Sequence, residues 1–358
     1  MHRRTAVVVI LLFFMQVPQA MALEVSSVAA IDSPQLVAMP SGQTYLLRRA
    51  EVEVAAGESE FSFDYAANGL DEQGVQLRVI SASDDISISG RYRRADVPGK
   101  VFWQLSSAKH QTATLRLCCT PKDLAMTVAY EAILGERMDL RGYVTIVNGG
   151  KMDMEAATVR LPSGDRFTAN LSAGTTVTQD FLNITEMPYT QQYVYDEAAH
   201  GKHVTRIIEF TSPRPRPGLP SGVISFYGGE PGTSVVLGQA SIPFLAGGTC
   251  VKLAAQKLPD ISVTGGMTES VQQSIKTDVY KKLAFFDQRE DYEYRLRNHS
   301  GANIDLLFRA HYAGDWKIQK SSHDYARTDA TTVEWQLRIP AGEELTLGYE
   351  VLNRKMTP

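Results

Sequence analysis

Apolar and polar residues alternate with a period of two along most of this chain. "YVTIVNGGKMDM" alternates through Tyr143, Thr145 and Val147 and then reaches Asn148-Gly149. Both of those residues tolerate positive φ, so the pair marks a hairpin. "YEYRLRNHSGANIDLLFRAHY" has the same design: alternation, a turn from Asn298 to Gly301, then Ile304, Leu306 and Phe308 on one face. "GVISFYGGEPGTSVVLGQASIPF" reads as another pair of strands, broken at Gly228-Gly229 and Pro231-Gly232. Turn residues recur about every 8–15 positions, the spacing of sandwiches rather than of βαβ units.

One phrase occurs three times. "VEVAAGESEFSF" (52–63), "NLSAGTTVTQDF" (170–181) and "LRIPAGEELTL" (337–347) each join two strands through a small-residue bend. Gly57, Gly174 and Gly342 supply the backbone freedom there. Helical signals are weak. "PKDLAMTVAYEAIL" has room for a turn or two of helix but also alternates. "MTESVQQSIKTDVYKKL" starts like a capping box at Thr268-Glu269, yet its apolar spacing makes no helix face, and it reads as strand. The expectation is an all-β protein of two or three antiparallel, immunoglobulin-like β-sandwich domains with little helix. The expected domains are 23–115, 116–263 and 264–358. "TSPRPRPGLPSG" (211–222) is expected to be an extended loop between strands, with a polyproline II ligand as the alternative.

Composition narrows the functional classes. The chain has 358 residues, 44% hydrophobic and 21% charged, as in folded globular proteins. Its formal net charge of −4 argues against a general role on nucleic acid. The opening "MHRRTAVVVILLFFMQVPQAMALEV" has basic Arg3 and Arg4, an apolar run from Ala6 to Met15, and small residues at Ala20 and Ala22. That is the pattern of a signal peptide, residues 1–22, cleaved after Ala22. It predicts a periplasmic or secreted protein with no transmembrane span after cleavage; an uncleaved anchor is the alternative. The apolar run is shorter than the ~20 residues of a spanning helix.

Three cysteines follow. Alternation in "TATLRLCC" puts Cys119 on one face with Ala113, Leu115 and Leu117, which makes it the buried thiol. Cys250 pairs with Cys119 or Cys118 in one reading; in the other, all three stay reduced and pack as small apolar residues. The best polar cluster is Asp196, Glu197, His200 and His203 in "YDEAAHGKHV". Imidazoles near carboxylates suit a divalent metal, whereas a solvated loop tip is the plainer reading. His299, His311 and His323 follow no spacing rule. Trp103 and Trp316 are candidate glycan-stacking platforms, and Trp335, alternating with Val333 and Leu337, belongs to the core. No nucleophile motif and no phosphate-binding glycine loop is present, so no catalytic residue and no cofactor are assigned.

Several phrases carry a resemblance. "YVYDE" with "TRIIEF", "LPSGVISFYG", "VLGQASIPFLAGGTCVKL", "YRLRNHSG", "DWKIQKSS" and "VEWQLRIPAGEELTLGYEV" resemble the mucoidy-inhibitor-A-like proteins, a bacterial family built around a domain of unknown function. "LVAMPSGQTYLLRRAEVEVAAGESEFSFD" is similar to the small β domain that precedes it there. The family commonly carries a long coiled coil between these parts, which this chain lacks. The resemblance implies a bacterial envelope role and brings no catalytic residues. The functional expectation is a non-catalytic binding or scaffolding module for an envelope protein or exopolysaccharide. The alternative is a polysaccharide-active or metal-dependent hydrolase.

Overall fold

The computed structural model describes residues 23–25, 34–39, 43–81, 85–214, 216–229, 235–277, 280 and 283–356. The expected signal peptide lies outside the described residues. The protein is an all-β sandwich structure; helix among the described residues is limited to α1 (Glu197–His200) and a 3-10 turn at Glu72–Gly74. The helix-like signals fall on strands at Leu124–Leu134 and, in the second segment, as far as Thr277, because their alternation suits a pleat and their apolar spacing does not suit a helix face.

The chain begins with β1 (Leu23–Val25), β2 (Gln35–Ala38) and β3 (Thr44–Val54), followed by β4 (Gly57–Asp64), β5 (Gln76–Val79), β6 (Ile86–Tyr92) and β7 (Lys100–Ser107). It continues through β8 (Gln111–Cys119), β9 (Leu124–Leu134), β10 (Met138–Asn148), β11 (Met154–Arg160), β12 (Arg166–Leu171) and β13 (Thr175–Met187). Next come β14 (Tyr189–Asp196), β15 (Val204–Thr211), β16 (Gly218–Leu219), β17 (Gly222–Gly228), β18 (Val235–Ile242) and β19 (Leu245–Ala246). The last strands are β20 (Cys250–Leu258), β21 (Ile261–Thr277), β22 (Leu283–Asn298), β23 (Ile304–His311), β24 (Asp315–Ser321), β25 (Tyr325–Arg327), β26 (Thr332–Ile339) and β27 (Glu344–Met356).

Pairing reveals a tandem duplication. The first large sheet has the order β12-β11-β2-β3-β8-β5, and the second, written in reverse, β25-β26-β23-β14-β15-β20. Without the edge strands β5 and β25 the two orders coincide. Each contains one parallel junction at the same place, β11 on β2 and β23 on β14. The small sheets correspond too: β13-β10-β9 in the first repeat and β27-β22-β21 in the second. The repeats meet between Met187 and Tyr189. Each carries an insertion at the same point, β4–β7 between β3 and β8, and β16–β19 between β15 and β20.

The expected boundaries at 115 and 263 are therefore corrected. β11 and β12 extend the sheet of β2 and β3, while β14, β15 and β20 share a sheet with β23 and β26. The period-two pattern marks strands but not which distant strand each one joins.

Five sheets stack in a staggered row, each with one apolar face. The insertion sheet β1-β4-β7-β6 supplies Phe61 and Trp103, which meet Val52 and Leu115 of the first large sheet. The other half of that large sheet packs on Val144 and Ile146 of the first small sheet. Further along β10, Met138 and Leu140 point the same way and meet Ile208, Phe210 and Leu253 of the second large sheet. The second large sheet then turns Leu306, Phe308 and Trp335 toward Tyr294, Leu296, Leu347 and Tyr349 of the second small sheet. Each fully buried side chain of this kind contributes about 1.5–3 kcal/mol.

Candidate functional site

Among the described residues, the row of sheets ends with half of its last member uncovered. In the first repeat the outer edge of β9 is closed by β17, which runs parallel to it from Val223 opposite Ala129 to Gly228 opposite Leu134. Tyr130 is buried beneath this insertion, and its hydroxyl donates to the Pro220 carbonyl at 2.7 Å. Met267 holds the corresponding place in the second repeat, opposite Tyr292 as Tyr130 is opposite Gly142. It is 55% exposed. Val271, Ile275 and Phe285 are exposed further along β21 and β22, and Tyr280 is exposed beyond the end of β21. Among the described residues, no strand pairs with the outer edge of β21. Register breaks between Met267 and Glu269 and between Gln273 and Lys276 leave a straight run from Glu269 to Gln273. Ser274, within the second break, has φ +54°.

The faces of this half-sheet are polar. Gln288 donates to Ser270 Oγ at 2.9 Å and to Glu290 Oε1 at 2.8 Å, and the Tyr292 hydroxyl donates to Glu290 Oε2 at 2.9 Å. Burial and the Glu290 carboxylate hold the Tyr292 hydroxyl above the usual phenol range, so it stays a neutral donor. On the opposite face Arg289 bridges Glu269 at 2.6 Å and Asp291 at 3.5 Å. Gln288 and Glu290 correspond to the buried Met138 and Leu140 of the first repeat.

The expected metal cluster does not assemble. Asp196 ends β14 and caps α1, accepting the Ala199 N–H at 3.0 Å. Its other oxygen takes His311 Nε2 at 3.0 Å and faces Arg309 at 3.6 Å. Arg309 in turn pairs with Glu334 at 2.6 Å. Burial alone would raise the Asp196 pKa, but the hydrogen bonds from His311 and Ala199 and the charges of His311 and Arg309 bring it below the usual carboxylate range. Glu197 is exposed beside Lys202 at 3.6 Å, and His203 is made less basic by burial and by Lys257 and His200. Among the described residues no three His, Cys, Asp or Glu side chains are placed to share a metal ion.

Sequence reading missed the partners His311, Arg309 and Glu334. Only cross-strand pairing reveals them, because β23 adds to β14 from far along the chain. Thr332 Oγ1 lies 3.1 Å from His311 Nδ1, which completes a hydroxyl–imidazole–carboxylate relay. That hydroxyl is closed in: Thr332 is 6% exposed and pairs directly with His311 across β23 and β26. The relay therefore presents no attacking oxygen to a substrate.

The tryptophan and cysteine assignments are also corrected. Trp103 is 3% exposed and packs 5.8 Å from Phe61. Trp316 is equally buried; its N–H donates to the Ala330 carbonyl at 2.9 Å, and the Arg327 guanidinium covers its ring at 4.2 Å. Neither can stack on a sugar. The three thiols are free. Cys119 lies in the first core, whereas Cys250 is exposed at the start of β20 in the second large sheet, with Sγ donating to Glu209 at 3.1 Å. Different sheets hold the two, so the expected disulfide between Cys250 and Cys118 or Cys119 does not form.

A 690 Å³ cleft beside Tyr65 is lined by Arg91, Arg93, Arg94 and Lys100. Three of these cations are engaged: Arg94 with Glu60 at 2.7 Å, Arg93 with Glu72 at 3.1 Å, and Arg91 with the Glu72 carbonyl at 2.8 Å. No helix among the described residues is long and apolar enough to cross a membrane. No family model matches the chain, and no curated protein matches it.

Proposed function

We propose that this protein is an exported, non-catalytic binding module of the bacterial envelope, and that the bare half of its second small sheet is the docking element. One observation carries the reading. Two copies of the same fold lie in one chain, and the edge closed in the first, at β9, is left open by the described residues in the second, at β21. A protein partner suits such an edge, because it offers backbone donors and acceptors in a row. The export half of the proposal rests on the pattern of residues 1–22 and on the resemblance to an envelope family.

Photo-crosslinking in cells tests it. A photoreactive residue at Met267 is expected to capture one partner that the same residue at exposed Glu51 does not. Equal labelling at both positions, or none at Met267, would overturn the proposal.

A further inference from the structure

We infer that the partner docks by adding one extended strand parallel to β21 along its outer edge, and that this strand belongs to a chain other than a second copy of this protein. The inference deepens the reading of this half-sheet as the docking element and depends on it.

The duplication supplies the geometry. β9 and β21 are equivalent strands in equivalent sheets, and β9 is completed by a parallel strand six residues long in register, Val223 to Gly228. Ile224 and Phe226 on that strand face the core and are fully buried. Transferred to the second repeat, the same strand would run beside the stretch around Gly266 to Val271, where Met267 and Val271 are exposed. It would cover those two side chains and satisfy the edge backbone.

The chemistry of the half-sheet selects edge over face. Met138 and Leu140 of the first repeat form an apolar surface that a second sheet covers. Their counterparts Gln288 and Glu290 are already hydrogen-bonded to Ser270 and Tyr292. A sheet packed on them would bury that polar network for little apolar gain. The unsatisfied feature is the edge.

The edge also disfavours self-pairing. A second copy offers its own β21, but two register breaks and the positive φ of Ser274 bracket the straight run. Bulges of this kind interrupt long edge-to-edge ladders between identical strands. A foreign strand six residues long, placed from Gly266 to Val271, crosses only the first break and stops short of the second. The β17 of a second copy, the strand with the matching geometry, is already paired on both sides.

The test uses the mature protein and a labelled synthetic peptide with the sequence of residues 220–229, PSGVISFYGG, which is the segment that closes β9. Saturable one-to-one binding by fluorescence anisotropy is expected. V271K and, separately, M267K are expected to weaken it at least about tenfold while circular dichroism stays unchanged. A photoreactive group at the peptide N-terminus is expected to label near Met267, and one at its C-terminus near Gln273. No saturable binding, affinity unchanged in both variants, or labelling in the reverse order would overturn the inference. So would a dimer in sedimentation equilibrium that V271K dissolves, since the edge would then belong to a second copy. If the peptide fails while the cellular crosslink at Met267 persists, the docking element stands and strand addition falls.

Discussion

The side-chain amide of Asn298 repeats the hydrogen bonds of Asn148 atom for atom. Asn148 Nδ2 donates to the carbonyls of Met152, Leu171 and Ser172 at 2.9, 3.0 and 3.2 Å. Asn298 Nδ2 donates to Ala302, Ile339 and Pro340 at 2.7, 3.1 and 3.1 Å. Each Oδ1 accepts the N–H two residues on, from Gly150 and Ser300. The N–H after each asparagine reaches the Asp123 or Asp260 carbonyl, at 2.7 and 2.8 Å. Each asparagine thus ties the end of a small-sheet strand to the loop that leads out of the large sheet. These corners hold both sandwiches closed, and they are the reason the sequence writes similar phrases twice.

Removing either amide takes a donor from a buried carbonyl, Leu171 or Ile339, and from two neighbouring carbonyls, although Ser172, Ala302 and Pro340 each keep a second donor. N148A and N298A are each expected to cost about 2–3 kcal/mol, read from urea midpoints. The double variant is expected to lose the sum, because the corners share no partner. A loss below 0.5 kcal/mol, on the order of a surface change, would refute the structural role.

The bends beside these corners need glycine for conformation rather than space. Gly174 and Gly342 both have φ +73°, and a Cβ at either would meet nothing within 4 Å. G174A and G342A are expected to destabilise by about 1 kcal/mol through backbone strain. G301A, also in open space but without positive φ, is the control and is expected to be neutral.

Asp196 makes stability depend on acid pH. Its carboxyl is held below the usual range by His311 and Arg309 against the opposing effect of burial. A depressed folded pKa contributes stability that is complete above the unfolded value, about 3.9, and is lost as pH falls through the folded value. Wild type is therefore expected to lose stability more steeply than D196N as pH is lowered from 5 toward 2. At pH 7, D196N is expected to be less stable by about 2 kcal/mol. Parallel pH profiles for the two proteins would remove Asp196 from this role.

The thiols are expected to react in the order of their exposure. Cys250 labels first, Cys118 more slowly, and Cys119, whose pKa burial pushes up to about 12, only on unfolding. Even Cys250 is expected to alkylate more slowly than the thiols of the unfolded chain, because its hydrogen bond to the Glu209 carboxylate favours the neutral thiol and raises its pKa. E209Q removes that charge and is expected to speed the reaction at pH 7.5. Non-reducing mass spectrometry of the denatured protein is expected to show three free thiols, and a disulfide would contradict the structure.

Sequence alone determined the strands and their faces. The alternation that put Cys119 with Ala113, Leu115 and Leu117 survives as a buried row on β8, and Trp335 lies in the core beside Val333 and Leu337. The chain turns at Asn148 and Asn298 as expected, but the hairpin expected at Asn148-Gly149 does not form: β10 and β11 belong to different sheets, as do β22 and β23, and neither Asn148 nor Gly149 has positive φ, so both asparagines are corners between sheets. Strand faces are local properties: which side of a strand a residue faces depends only on its neighbours along the chain. Tertiary structure decided everything that depends on which strand lies beside which. Backbone ladders form between any two extended segments, so the parallel addition of β11 to β2 and of β23 to β14 left no local mark. The addition of β23 to β14 brought His311 to Asp196, while the packing of separate sheets sealed Trp103 and Trp316 inside cores and kept Cys250 apart from Cys119. Strand pairing also closed the edge of β9 with β17 and, among the described residues, left the edge of β21 open.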